Sequence, residues 1–321
     1  MEIVAADIGG THARFALAEV ENGRVVKLGE PCTQKTAEHA SLQTAWQAFA
    51  AHIGRPLPKA ASLAIASPIT SDVIRMTNNP WVIRPSLIPE RLGADIYTVI
   101  NDFGAIGHAV AQVPEEDFLH ICGPEEPMPA HGVVTVCGPG TGLGVAQVLM
   151  TPQRYHVIET EGGHMDYAPL DGIEDAILKR LRRTYTRVSC ERICSGPGII
   201  AIYETLASLE GRAVPSRDDR EIWAEALEGT DSIALAALDR FCLALGAVAG
   251  DFALAQGAKT VVIAGGLGYR IKDKLLRSGF DQRFMAKGRF QSLMARIPVK
   301  LITHPQPGLF GAAAAFAQEH S

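Results

Sequence analysis

The chain has 321 residues, with 30 Lys and Arg against 35 Asp and Glu and a formal net charge of −5, so no overall basic field exists to hold nucleic acid or an anionic membrane. With 47% hydrophobic and 20% charged residues it can fill a sizeable core, which excludes a disordered segment, and its length suits two domains of roughly 100–200 residues or one large one. The start, Met1-Glu2 to Asp7, lacks the basic residues and apolar run of a secretion signal, and the uncharged stretch Phe241–Gly250 is far shorter than the roughly 20 residues of a membrane span.

In chain order, Ile3–Asp7 and Phe15–Val20 read as strands joined by Gly9-Gly10-Thr11, a link too short for a helix. Asn22-Gly23 before Arg24–Leu28 is a strong hairpin signal, so the chain opens as an antiparallel meander. Thr36 is the expected N-cap of a helix with Leu42, Trp46, Phe49 and Ile53 on one face and Gly54 at its end. Ala60–Ala66 and Ile96–Ile100 read as strands, and the second leads through Asn101-Asp102 into a helix, Phe103–Val113, closed by Pro114. Val133–Cys137, a glycine-rich turn and Val145–Met150 then repeat the opening pattern, with Thr141 aligned on Thr11. Two distant copies suggest two related domains and not a repeat array. A strand at Tyr155–Glu159, a helix at Asp171–Arg183 and a long helix at Ser232–Gln256 follow. The apolar stripe of that long helix, Ala234 to Phe252, reads as core. Thr260–Ala264 is expected to be the last strand, ending in Gly265-Gly266, and Gly308–Glu319 an alanine-rich helix. Six scattered cysteines without a C-x-x-C pair fit a reducing compartment, hence the cytoplasm, and Cys190 with Cys194 supplies only half of a four-ligand structural zinc site.

Three glycine turns follow buried-looking strands, after Asp7, Cys137 and Ala264. Glycine lets backbone amides approach and encircle an anion, because no Cβ intervenes. Thr11 and Thr141 add hydroxyl donors beside those amides. The dinucleotide fingerprint G-x-G-x-x-G fails at Leu143, and the residues after it are strand-like where that motif opens a helix. No lysine follows a glycine, which excludes a Walker A loop, and His-Arg-Asp of the protein-kinase set is absent. A pair of phosphate-binding hairpins, one per domain, remains.

Asp7-Ile8-Gly9-Gly10-Thr11, Gly140-Thr141-Gly142-Leu143-Gly144 and Gly265-Gly266 resemble the two phosphate motifs and the adenosine motif of the superfamily of sugar kinases, actin and heat-shock chaperones. Thr77-Asn78-Asn79-Pro80-Trp81, Ile100-Asn101-Asp102-Phe103, Glu161-Gly162-Gly163-His164 and Ser195-Gly196-Pro197-Gly198 resemble, more narrowly, the bacterial glucokinase family. His12 stands where many relatives carry Asn, and the cysteine-rich zinc motif of the related repressor-and-kinase family is missing. The resemblance implies an α/β protein of two domains with the actin-like, hexokinase-like ATPase fold and a cleft between them. The expected division is a small α/β domain over 1–112, completed by a C-terminal helix over 305–321, and a large α/β domain over 113–304.

The implied activity is transfer of the γ-phosphoryl group of ATP to the 6-hydroxyl of glucose, with Mg²⁺ held mainly by substrate phosphates and no dedicated metal cage in the chain. By resemblance Asp102 is the catalytic base, although an Asp at a helix start is on its own more often a cap. Asn101, Asp102, Glu161, His164 and Glu191 are the implied sugar ligands; carboxylates suit a neutral polyol because each accepts from two hydroxyls. Ala6, Asp7, Ile8, Gly9, Gly10, Thr11, Gly138, Gly140, Thr141, Gly142, Gly265 and Gly266 are the implied nucleotide contacts, with Asp7 near the phosphates and Mg²⁺. Two other classes compete. A sugar-responsive regulator on the same fold needs a DNA-binding segment, and six residues precede Asp7. An actin- or chaperone-like ATPase would not need Asn101-Asp102 with Glu161 and His164. The expected partners are glucose and ATP, without nucleic acid or membrane; the hexose preference stays open, as does a homodimer.

Overall fold

Asn22 and Gly23 both adopt left-handed backbone, with φ of 50° and 75°, and this lets the chain reverse between two strands within two residues. The computed structural model describes residues 1–69, 71–76 and 79–321, so Thr77 and Asn78 of the Thr77–Trp81 motif lie outside the described residues. The chain divides into two compact units: Met1–Pro114 with Val157–Glu159 and His304–Ser321, and Glu115–His156 with Thr160–Thr303.

The first unit holds strands β1 (Glu2–Ile8), β2 (His12–Glu21), β3 (Arg24–Leu28), β4 (Cys32–Lys35), β5 (Ala60–Ile65), β6 (Ile74–Arg75), β7 (Val82–Ile83) and β8 (Ile96–Asn101), and helices α1 (Leu42–Ile53), α2 (Ile88–Leu92) and α3 (Asp102–Gln112). The main sheet runs β3-β2-β1-β5-β8, with β4 also paired to β2, and β6 pairs with β7 in a separate ribbon. β1 is antiparallel to β2 but parallel to β5, which is parallel to β8. Ile8 pairs with Ile65, and Ile65 with Asn101, so three strands end level at one edge of the sheet, the edge where open α/β sheets place ligand groups. β5 is buried along its whole length, as a central parallel strand must be. α1 covers one face with Trp46 and Phe49, whose rings lie 6.1 and 5.4 Å from that of Phe15.

The cap of α1 is Ser41 and not Thr36. Ser41 and Thr44 form a reciprocal capping box, while Thr36 opens a single 3-10 turn, Thr36–Glu38. Likewise the cap of α3 is Asn101, whose side chain accepts from the amides of Phe103 and Gly104; Asp102 is the first helical residue.

Burial of His108 on α3 lowers its pKa from 6.5 to about 4. The unfolded chain therefore binds a proton that the folded chain refuses, and the stability tied to this ring is complete above pH 6.5 and lost as pH falls toward 4. The slope is about 1.4 kcal/mol per pH unit at its steepest. Chemical denaturation from pH 7 to 4 should show this loss in the native protein, and His108→Gln should have a flatter profile over the same window. Parallel profiles would exclude His108 as the source.

The second sheet is built of strands β9 (Phe118–Cys122), β10 (Gly132–Pro139), β11 (Leu143–Met150), β12 (Tyr155–Thr160), β13 (Ala258–Ile263) and β14 (Val299–Ile302), all in the second unit except Val157–Glu159 of β12, which count with the first. The helices of the second unit are α4 (Gly172–Leu181), α5 (Gly198–Leu209), α6 (Asp219–Glu228), α7 (Ser232–Gln256), α8 (Gly265–Arg270), α9 (Lys272–Leu275), α10 (Phe280–Met285) and α11 (Gln291–Met294). The sheet order is β12-β11-β10-β13-β14-β9. β10 and β11 form an antiparallel hairpin, and β10, β13 and β14 are parallel, so the hairpin-plus-parallel arrangement of the first unit recurs. The last strand is β14 and not Thr260–Ala264. Its pattern is interrupted by Lys300, which is buried by pairing with Glu115 and lies 5.9 Å from the Phe118 ring centre.

α7 is long and apolar enough to cross a membrane by length and composition, yet 72% of its apolar window is buried inside the protein. Asp231 caps its start, and Gly257 ends it in a left-handed conformation. Gly246 and Gly250 admit the backbone of α10: a Cβ at either would overlap the Phe280 carbonyl or press on that of Phe284. The last helix, α12 (Pro307–Glu319), belongs to the first unit. Leu309, Ala312 and Phe316 share a buried cluster with Ile3, Ala5, Ala64 and Ala105, so α12 covers the second face of the first sheet.

Candidate active site

The structure gathers the candidate residues in two sets, one in each unit. In the first, the turn between β1 and β2 carries Gly9, Gly10 and Thr11. Gly9 N donates to His12 O at 2.9 Å, which closes the turn. Thr36, buried beside it, donates from its amide to Thr11 O at 3.0 Å and from Oγ1 to Gly10 O at 2.7 Å. With these carbonyls tied inward, the peptide planes of the turn are fixed and Thr11 stays exposed. Thr36 is thus a latch on the turn, a role no local pattern signals. The side chains of Ala6 and Ile8 are buried in the core, so only their backbone could face a nucleotide.

Asp7 lies directly across the hairpin from Arg14, with Oδ2 3.1 Å from Nη1. Burial raises its carboxyl above the ordinary aspartate value, and the Arg14 guanidinium opposes that rise. The start of α12 closes over it, because a Cβ at Gly308 would stand 2.8 Å from Asp7 Cγ.

At the end of β8, Asn101 is fixed on every side. Its Oδ1 caps α3, with Phe103 N at 2.8 Å and Gly104 N at 3.3 Å, and its Nδ2 donates to Ser67 O at 3.2 Å. Its own amide donates to Glu159 Oε1 at 2.9 Å, and Glu159 also fills the space beside Gly104. Asp102 Oδ1 accepts from Phe103 N at 2.9 Å. The rigid neighbour therefore sets where the half-buried Asp102 carboxylate begins. Glu159 was not among the expected site residues.

In the second set, β10 ends at Pro139 and β11 begins at Leu143, leaving Gly140-Thr141-Gly142 as the turn. Gly140 N donates to Gly142 O at 2.8 Å, and Gly196 N to Gly140 O at 2.7 Å. Trp223 Nε1 holds Gly196 O at 2.9 Å. The Ser195–Gly198 segment is therefore stitched to this turn. Gly138 and Gly265 are the close-approach positions: a Cβ at Gly138 would overlap Ala264, and one at Gly265, φ +80°, would lie 2.6 Å from Pro139 O. Gly265-Gly266 begins the helix α8 and is not a hairpin turn like the other two.

Gly162–His164 form a 3-10 turn after β12, with Glu161 at its N-cap position. The Glu161 and His164 side chains are exposed and 3.8 Å apart. Arg187 donates from Nη2 to His164 O at 2.7 Å and pairs with Asp166. Tyr167 N to Val188 O and Cys190 N to Met165 O, at 3.1 and 2.8 Å, lay this segment beside the one that carries Glu191. Glu191 Oε2 accepts from Leu143 N at 2.9 Å, so Glu161, His164, Glu191 and the second glycine turn form one neighbourhood. Among the described residues no group of three or more His, Cys, Asp or Glu side chains could hold a metal ion alone.

Two mixed sheets that each lead into a glycine turn through an antiparallel hairpin, with an Asn-Asp pair at a strand end in one and a Glu-Gly-Gly-His turn in the other, define the hexokinase-like class of α/β proteins. The solved structures agree. A glucokinase from an Antarctic psychrotroph matches with a TM-score of 0.86 and 34% identity over 98% of both chains. A glucokinase from Balamuthia mandrillaris in complex with glucose shares the fold, with a TM-score of 0.79 at 21% identity over 99% of this chain and 93% of that one. The glucokinase family profile matches residues 4–319. A curated glucokinase of Zymomonas mobilis is 61% identical over 100% of this chain and 99% of its own. The chain belongs to the glucokinase family.

The latch on the first turn predicts a selective defect. Thr36→Val keeps the shape and leaves Gly10 O without its donor. The KM for ATP should rise about three- to tenfold, glucose affinity should stay native, and Thr36→Ser should restore the native KM. A Val variant with native ATP kinetics would remove the latch.

Proposed function

We infer that the chain transfers the γ-phosphoryl group of ATP to the 6-hydroxyl of D-glucose, releasing ADP and glucose 6-phosphate. The observation that carries this is the 61% identity to a curated glucokinase along the whole chain. In this reading the O6–phosphorus bond forms as the bond from the γ-phosphorus to the bridging oxygen breaks, and the hydroxyl proton passes to the Asp102 carboxylate. Asn101 cannot move without releasing the α3 cap, so it serves as a fixed reference for Asp102. Much of the contribution of Asp102 is then aim, holding O6 in line with the phosphorus. Glu161, His164 and Glu191 bind the remaining hydroxyls and reject analogues lacking them.

The residues present fit Mg²⁺ bound with the nucleotide. Asp7 offers a carboxylate at the first phosphate turn without a second acidic group hydrogen-bonded to it, which suits an ion whose other ligands are phosphate oxygens and water. When bound, Mg²⁺ offsets the charge of the β- and γ-phosphates. Arg14 holds the Asp7 carboxylate in place, and the two glycine turns supply amides and the Thr11 and Thr141 hydroxyls to the phosphates. All six cysteines are free thiols, which fits the reducing cytoplasm.

A coupled assay of ADP and hexose 6-phosphate across glucose, mannose and fructose, with and without Mg²⁺, tests this reading. Turnover should require sugar, ATP and Mg²⁺ together and be fastest with glucose. ADP release that ignores sugar would point to an ATPase of the same fold instead.

A further inference from the structure

Glu191 touches the second phosphate turn. Its Oε2 accepts from Leu143 N at 2.9 Å, and Oε1 has no hydrogen-bond partner among the described residues. An ionised carboxylate accepts through both oxygens, so one remains for a ligand hydroxyl. The turn is shaped around this side chain. A Cβ at Gly142 would overlap Oε2 and lie 3.1 Å from Cδ, yet Gly142 is not among the positive-φ glycines. Its backbone would accept alanine. Alanine there would push the flexible end of Glu191 off Leu143 N, so glycine keeps the carboxylate in its place. Leu143 also supports the other sugar residues, since Gly163 packs on its carbonyl so closely that a Cβ would overlap it.

We propose that Glu191 is a brace shared by the sugar and the second phosphate turn: Oε2 fixes the turn at Leu143 while Oε1 takes a glucose hydroxyl. The proposal rests on the reading of Glu191 as a sugar ligand. Immobilising one carboxylate then serves both ligands, so the second to bind has less left to order. Glucose and nucleotide should tighten each other by the same factor, as linkage requires.

The test titrates glucose calorimetrically without nucleotide, and an unhydrolysable Mg²⁺–ATP analogue with and without saturating glucose. The native protein should show a coupling factor of about 5–150. Gly142→Ala lies on the phosphate turn, yet it should weaken glucose binding without nucleotide by roughly five- to a hundredfold by displacing Glu191. Glu191→Gln should weaken glucose and bring the coupling factor to near one. If Glu191→Gln leaves glucose affinity native, the sugar-ligand reading fails and the brace with it. If Glu191→Gln weakens glucose while Gly142→Ala disturbs only the nucleotide, the brace fails and the sugar-ligand reading stands. Should Gly142→Ala not fold, the Glu191→Gln coupling factor decides: a value equal to the native one overturns the brace, as does a native factor of one.

Discussion

Asp102→Asn should lower kcat by roughly 10²–10⁴, with glucose affinity changed far less. The amide keeps the volume and can still accept from Phe103 N as Asp102 Oδ1 does at 2.9 Å, but it cannot take up the hydroxyl proton. The structure narrows the competing explanations. An Asp that capped α3 would have tied any loss of activity to a loss of stability, but the cap is Asn101. What the substitution removes from folding is one negative charge in the first turn of a helix, worth about 0.3–1 kcal/mol. A pure binding role would instead raise the KM for glucose and spare kcat. Steady-state kinetics beside a thermal melt separate the cases, and a folded variant turning over at the native rate would sink the catalytic assignment.

What could be read from the sequence was local. The hairpin at Asn22-Gly23, the bounds of α7 and the two strand–turn–strand repeats follow from φ preferences, capping residues and periodicity within a few positions of one another. The expectations that failed depended on partners far away in the chain. Thr36 is as good a cap as Ser41 by residue type; its hydroxyl instead finds Gly10 O across 26 positions. β14 did not read as a strand because Lys300 interrupts it, and the charge is tolerated only through Glu115, 185 positions away.

The same division runs through the candidate site. Asn101-Asp102, Glu161, His164 and the glycine turns stood out as motifs. Glu159 supports Asn101 across 58 positions and Glu191 meets Leu143 across 48, and nothing within either segment announces the contact. Gly142 stands out in the sequence as an anion-binding turn residue, and its contact with Glu191 adds a steric reason for the missing side chain that no local pattern shows.

Gly311→Ala should destabilise the protein although alanine is the better helix former. In an exposed helix interior the exchange would gain about 1 kcal/mol. Gly311, however, sits on the face of α12 that meets α3, where a Cβ would overlap the Ala105 carbonyl oxygen and lie 3.2 Å from Ala105 Cα. The obstacle is backbone on a regular helix, so no rotamer change can relieve it and the two helices must part. Overpacking of this kind costs about 1–3 kcal/mol, occasionally more, and a direct backbone clash belongs at the upper end, outweighing the propensity gain. The consequence extends to chemistry because α3 begins at Asp102. Pushing the helix outward moves that carboxylate, and a displacement near 1 Å can cost on the order of 10²-fold in rate. The expected variant therefore unfolds at lower denaturant and has a reduced kcat, while Gly9, Gly10 and Thr11 keep their hold on Thr36 and His12. A Gly311→Ala protein as stable as the native one would mean that α12 and α3 do not pack backbone to backbone. One that is less stable but fully active would separate the packing of α3 from the aim of Asp102.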